Sequence, residues 1–192
     1  VHNHRGVFYG RNKVYKNLGF DTFTSLEYMA NTTMTPKNWC KDKVLTGEIE
    51  AALDSTDTPD LVYTVSVQGH GKYPTSPELE DPAITVESIP NEDQHYSMEY
   101  YANQIHEMDE FIGELVEMLE NRDEKTILVM YGDHLPALQM DEDTLLTHDL
   151  YKTEYLIWNN FGLEKEDEGL KAYQLTSKVL ASLNITDGIF NR

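Results

Sequence analysis

Thr126-Ile-Leu-Val-Met-Tyr-Gly-Asp-His134 is the stretch on which the reading of this chain turns. From Thr126 to Tyr131 every residue is apolar, β-branched or aromatic, the composition of a strand. The run delivers an adjacent carboxylate and imidazole at its end. Polar groups beyond the C-terminal end of a parallel strand lie where open α/β sheets bind ligands. An Asp oxygen beside a His nitrogen suits a Zn, Mn or Mg-type ion. The same four residues, Tyr131 to His134, also make an ordinary turn, with Gly132 supplying backbone freedom and Asp133 capping the next segment. From these residues alone, both readings are open.

Upstream of the strand, Met98, Tyr101, Ile105, Met108, Ile112, Leu115 and Leu119 recur at steps of three and four, the apolar stripe of an amphipathic helix. The other face carries Glu99, Glu107, Glu110, Glu114, Glu117 and Glu120, which reads as a solvated face with His106 on it. Before this helix, Leu61-Val-Tyr-Thr-Val-Ser-Val67 has strand composition and runs into Gln68-Gly-His70. Strand, helix and strand together predict a right-handed βαβ crossover between parallel strands. That topology brings His70 to the same sheet edge as Asp133 and His134. The fold class it implies is α/β, a mostly parallel sheet flanked by helices.

The remaining segments are less regular. Residues 1–39 read as loop with short elements, Gly47–Leu53 as a short helix, and 75–95 as a long proline-containing surface excursion. Met140-Asp-Glu-Asp143 is a candidate helix start within the loop of 135–152, where His148 is isolated. Tyr155-Leu-Ile-Trp158 reads as a further strand, and Ala172–Leu183 as a closing amphipathic helix with Leu175, Val179, Leu180 and Leu183 inward.

At 192 residues with 40% hydrophobic content the chain is large enough for one domain with its own core. It has 15 Lys and Arg against 34 Asp and Glu, a net charge of −19, which excludes a nucleic-acid binder. The charge is uneven. Residues 1–20 hold His2, His4, Arg5, Arg11, Lys13 and Lys16 with no acid before Asp21, which fits either a specific anion pocket or solvated surface charge. Cys40 is the single cysteine, so an internal disulfide is excluded. No 18-residue apolar span or secretory signal occurs within these residues, and with a start at Val1 rather than Met the expectation is an excised piece whose targeting or membrane segment lies upstream.

The order of these features resembles the C-terminal portion of the sulfatase-like branch of the alkaline phosphatase superfamily, in particular the lipoteichoic acid synthases and related phosphoglycerol transferases. The resemblance rests on Phe8-Tyr-Gly-Arg-Asn-Lys-Val-Tyr15 with Leu18-Gly-Phe-Asp-Thr-Phe23, then Val65-Ser-Val-Gln-Gly-His70 with Tyr73-Pro74, then Tyr131-Gly-Asp-His134, and finally Tyr151 to Trp158. It implies that Asp133 and His134 are ligands of a divalent metal, Mn or Mg first, with Zn or Ca also compatible. It implies that Arg11 and His70 hold the substrate phosphate, with Tyr9 against the headgroup at a position that is Trp in the synthases. His4 falls near a position where those enzymes carry Asp.

The family mechanism needs a Thr nucleophile and an acidic ligand upstream of the Phe-Tyr-x-Arg segment. Thr32, Thr33 and Thr35 lack that context. The resemblance therefore implies a 1–192 domain fragment without its nucleophile-bearing part, inactive alone, from an enzyme acting on an anionic lipid headgroup or a phosphate or sulfate ester. It further implies transmembrane helices in the parent and a place on the extracellular side of the bacterial cell membrane. A non-catalytic anion-binding or scaffold domain of the same fold is the alternative.

Overall fold

The computed structural model describes residues 1–87, 89 and 92–187. Where one domain is expected over 1–192, the chain divides into two compact units. The first comprises Val1–Met118 and Leu135–Tyr151; the second comprises Leu119–His134 and Lys152–Arg192.

In the first unit, helix α1 spans Arg11–Asn17 and ends in a Schellman motif. Gly19 takes the left-handed conformation at φ 92°, its N–H bonding to the Lys16 carbonyl, while the Phe20 N–H reaches the Tyr15 carbonyl. The motif closes through an apolar contact, with the Tyr15 and Phe20 rings 5.7 Å apart. At seven residues this helix is shorter than two full periods of any apolar stripe, so its sequence does not separate it from loop. Helix α2, Val44–Leu53, begins three residues before the expected short helix and buries Leu45 and Ile49, four residues apart on one face.

Helix α3 runs from Glu92 to Glu120, longer than the stripe predicts. Its buried line is Tyr100, Asn103, Gln104, Phe111, Leu115 and Leu119, so the inward face is rotated from the one expected. Ile105 is 39% exposed while Gln104 is 2% exposed. The amides are buried because each has partners. Asn103 donates to the Ile84 and Glu99 carbonyls and accepts the Ile84 N–H, which ties the proline-containing excursion to the helix. The acidic face is also less solvated than expected. Glu107 accepts from Lys41 at 2.7 Å and from Gln68, and Glu99 accepts the Val86 N–H. His106 does lie on the polar side, 3.9 Å from Glu110.

The core of this unit is as polar as it is apolar. Cys40, Leu45 and Tyr100 are fully enclosed, and so are His2, Asn3, Asp42, Gln68 and Gln104. Burial raises the Cys40 thiol to about 11 and the Asp42 carboxyl to about 6. The Asp42 carboxyl accepts from Asn3 Nδ2 at 2.6 Å and from the Val67 and Gln68 backbone N–H groups, bonds that act against the shift from burial.

In the second unit, β1 (Ile127–Tyr131) and β2 (Tyr155–Asn159) form an antiparallel pair in which Ile127 faces Asn159 and Tyr131 faces Tyr155. The predicted strand at Leu61–Val67 is instead an extended segment of the first unit with one bridge residue, Val65, paired in parallel with His2. The expected βαβ ladder is therefore corrected: the neighbour that β1 bonds is β2, running the opposite way. Composition marks a segment as strand-like without naming its partner.

Asn160 closes this unit at the start of β1. Its Oδ1 accepts the Thr126 N–H at 2.8 Å, and its Nδ2 donates to the Glu124 and Leu119 carbonyls. After a short 3₁₀ turn at Ala172–Gln174, helix α4 covers Leu175–Ser182 and ends on left-handed Asn184, with the Ile185 N–H bonded to the Leu180 carbonyl. The candidate helix start at Met140–Asp143 is a single 3₁₀ turn, Glu142–Thr144, in the first unit. Among the described residues no helix is long and apolar enough to cross a membrane.

Candidate functional site

The basic N-terminal segment folds into a ring cluster in the first unit. His2 is fixed from both sides: its N–H bonds to the Thr24 carbonyl and its Nδ1 donates to the Val65 carbonyl at 2.8 Å. With Nδ1 donating, Nε2 carries the lone pair of a neutral ring. Burial lowers the His2 imidazole to about 4, against the Val65 hydrogen bond, and the Arg11 and His4 charges lower it further. His4 is lowered as well, first by burial and then by the Arg5 and His70 charges.

The chain then turns through Phe8–Gly10 into α1. Tyr9 and Gly10 both sit in the left-handed region, at φ 52° and 65°, and this turn sets Arg11 at the first position of the helix. A non-glycine residue held there is strained, and such strain concentrates at functional positions. Arg11 lies over the Tyr9 ring, 5.6 Å from its centroid, and one terminal guanidinium nitrogen donates to the Tyr15 hydroxyl at 3.1 Å. Tyr9 itself is 74% exposed and packs edge-on against Phe8 at 4.4 Å.

Around Phe8 the remaining rings gather. His4 lies 4.3 Å from Phe8, His70 lies 6.5 Å from it, and Trp39 sits between the two imidazoles, 5.3 Å from His4 and 4.5 Å from His70. His70 is an exposed residue on the loop after Val67, its Nδ1 donating to the Gly71 carbonyl. Donation from its Nε2 to an anion then requires the imidazolium form.

Among the described residues, four buried polar atoms in this cluster have no hydrogen-bond partner: His2 Nε2, His4 Nδ1, Arg11 Nε and Trp39 Nε1. Unsatisfied buried polar atoms are uncommon in folded chains, and their concentration here marks a place built for polar contacts beyond its own side chains. The structure thus gathers three of the predicted site residues, Tyr9, Arg11 and His70, in the first unit. It adds His2, His4 and Trp39 to them. In the sequence His2 is visible only as part of a basic segment, and His4 stands out further only through the family resemblance, near a position where those enzymes carry Asp. Trp39 carries no signal there, since its neighbours are distant along the chain.

Asp133 and His134 belong to the second unit. They follow β1 directly, after the Gly132 N–H bonds to the Glu154 carbonyl at 3.2 Å and ends the ladder. Asp133 Oδ1 and His134 Nε2 are 3.7 Å apart, with the side chains 81% and 69% exposed. An oxygen and a nitrogen donor at that spacing suit one divalent cation, and two ligands are fewer than the three or more protein ligands usual for a tightly held ion. Among the described residues no group of three or more His, Cys, Asp or Glu is arranged to hold a metal ion.

The family model described as Sulfatase matches residues 1–191. A Rhizobium meliloti (strain 1021) protein described as a cyclic beta-1,2-glucan modification protein is 33% identical over 139 residues, covering 72% of this chain and 21% of the relative. Lipoteichoic acid synthase 2 of Bacillus subtilis (strain 168) is 24% identical over 167 residues, covering 85% of this chain and 25% of the relative. The chain therefore spans between a fifth and a quarter of the length of these two proteins. Among solved structures, the Streptococcus pyogenes phosphoglycerol transferase GacH in complex with sn-glycerol-1-phosphate matches with a TM-score of 0.74 at 23% identity, covering 94% of this chain and 48% of that one. The expected α/β fold of the alkaline phosphatase and sulfatase type is the fold observed.

Proposed function

The chain belongs to the sulfatase family, and from that premise we propose that its parent protein transfers a phosphoglycerol-type group, or hydrolyses a phosphate or sulfate ester, by in-line displacement through a covalent Thr intermediate. The observation that carries this reading is the cluster in which Arg11 and the imidazoles of His2, His4 and His70 gather around Phe8 and Trp39 with four buried polar atoms unpartnered. Arg11 supplies a permanent charge and planar donors for phosphate or sulfate oxygens. His70 as imidazolium adds a donor. His2, held neutral by burial, offers a lone pair to a substrate hydroxyl instead. A site with donors for an anion and an acceptor for a hydroxyl suits a glycerol phosphate headgroup. The GacH structure, in complex with sn-glycerol-1-phosphate, supports the same chemistry.

In this reading the nucleophile is a Thr outside these 192 residues. Thr35 is unsuited to the role, because it is buried and its Oγ1 accepts the Trp39 N–H. Asp133 and His134 would hold a divalent ion, Mn or Mg in the first instance. When bound, such an ion supplies positive charge that stabilises the transferring group and lowers the pKa of a coordinated hydroxyl. The domain acts on the extracellular side of the bacterial cell membrane, on an anionic lipid headgroup or a soluble ester.

The test is turnover of a glycerol phosphate ester by the full-length protein. Asp133→Ala and His134→Ala are expected to abolish turnover and its dependence on added metal. Arg11→Ala is expected to lower kcat/KM by about a hundredfold, the scale of one lost charge-assisted clamp. Full activity in either metal-site variant overturns the metal assignment, and full activity in Arg11→Ala overturns the anion site.

A further inference from the structure

We infer that Trp39 is the positioning residue of the anion site, fixing the rings of His70 and His4 against each other, and that the turn from Thr35 to Asp42 is built to present it. The inference rests on the reading that Arg11 and His70 hold a phosphate or sulfate.

His70 needs such support. It is exposed, and it lies between Gly69 and Gly71, where the chain has little intrinsic stiffness. Its ring contacts within the cluster are Trp39 at 4.5 Å and Phe8 at 6.5 Å, and its Nδ1 bonds to the carbonyl of the next residue. A local bond of that kind fixes the tautomer; the loop backbone is tied by the His70 N–H to the Val67 carbonyl and by the Tyr73 hydroxyl to the Gly69 carbonyl, which leaves the orientation of the ring itself to its side-chain contacts. The indole face supplies the restraint from a distant segment of the chain. The same indole packs on His4 at 5.3 Å, so one side chain sets both imidazoles.

Trp39 is itself rigidly held. Thr35, buried, gives its N–H to the Trp39 carbonyl at 2.7 Å and takes the Trp39 N–H on Oγ1 at 3.1 Å. Asn38 takes the left-handed conformation that closes this turn, at φ 64°. On the other side, Cys40 and Asp42 are completely buried. Asp42 binds the Val67 and Gln68 N–H groups at the root of the His70 loop, and it binds the Asn3 side chain between His2 and His4. One short turn therefore grips both histidine-bearing segments and reaches past them to hold the rings. Trp39 is a positioning residue, because it acts on the anion through His70 and His4.

The test is calorimetric binding of inorganic phosphate at mildly acidic pH, to the wild-type chain and to His70→Gln, Trp39→Leu and Trp39→Phe, with folding of each checked by circular dichroism. Phenylalanine keeps a flat ring; leucine keeps apolar bulk and loses the face. The expected result is affinity within about threefold of wild type for Trp39→Phe and about tenfold weaker for Trp39→Leu, the scale of a lost aromatic contact that orients a binding group. Wild-type binding that His70→Gln weakens and Trp39→Leu leaves intact overturns the inference while the anion-site reading survives. Wild-type binding indifferent to His70→Gln, or absent, overturns both. Should Trp39→Leu fail to fold, Trp39→His is the second variant: a smaller flat ring is expected to retain more affinity than Trp39→Ala, and equal affinities for those two overturn the inference.

Discussion

Asp42 and Gln68 hold each other reciprocally: the Asp42 backbone N–H donates to Gln68 Oε1 at 2.7 Å, and the Gln68 backbone N–H donates to Asp42 Oδ1 at 3.4 Å. From this pair the network extends through Gln68 Nε2 to Gln104 and Glu107 on α3, and from Glu107 to Lys41. Removing one member strands several buried groups at once.

Gln68→Ala is therefore expected to destabilise the chain by about 3 kcal/mol, since a buried N–H and a buried carboxamide each lose a partner. Urea denaturation checks this, read as a lower midpoint at unchanged slope. A loss within experimental error of zero refutes the network's role.

Part of this architecture is legible in the sequence. The positions of α3, β1, β2 and α4 can be read because apolar spacing or strand composition marks them directly. The inward face of α3 cannot be read correctly. Asn103 and Gln104 are polar, and the Ile84 backbone, the Glu99 carbonyl and the side chain of Gln68 make their burial tolerable. Leu61–Val67 has strand composition, yet its backbone pairing runs to Val1 and His2 at the far end of the chain. The site is half visible: Tyr9, Arg11 and His70 stand in quotable motifs. Trp39 and Asp42 become meaningful only when the turn that carries them is laid against the His70 loop.

Acidification should show two opposing contributions. Asp42 has a folded pKa of about 6 against 3.8, so the folded state binds a proton more tightly there, and this group's contribution to stability falls as pH rises through that window. His2 has a folded pKa of about 4 against 6.5, so the unfolded state binds the proton first, and its contribution falls as pH drops through that window. The two slopes largely cancel. Asp42→Asn removes one of them, and relative to wild type it should lose about 3 kcal/mol more stability between roughly pH 6.5 and 4, at about 1.36 kcal/mol per pKa unit. Urea midpoints of both proteins across that range test it; parallel curves refute it.

Tyr9→Gly separates strain from function. The left-handed φ of 52° costs a tyrosine about 1 kcal/mol that glycine does not incur, offset in part by the extra freedom glycine brings to the unfolded chain. A small gain in thermal midpoint is expected together with a roughly fivefold loss of phosphate affinity, because the Arg11 guanidinium loses the ring it lies over. Loss of both stability and affinity refutes the assignment of strain.

Asn160→Asp tests the closure of the second unit. The carboxylate can still accept the Thr126 N–H, but the two bonds from Nδ2 to the Leu119 and Glu124 carbonyls become repulsive oxygen contacts. A loss of about 2 kcal/mol is expected, with faster amide exchange at Thr126 and along β1 than in the first unit. Uniform exchange changes across both units refute a local closure.

Cys40 turns the first unit into its own clock. It is the chain's single thiol, fully enclosed, and burial holds it protonated well above the ordinary range. Its carbonyl is bonded by Asn3, so the thiol meets solvent only when the segment tying His2 and His4 to the Thr35–Asp42 turn lets go. An alkylating reagent would therefore mark each molecule once, by a single irreversible mass increment, and the rate at which the marked fraction grows would time the anion site's own breathing without any probe placed inside it.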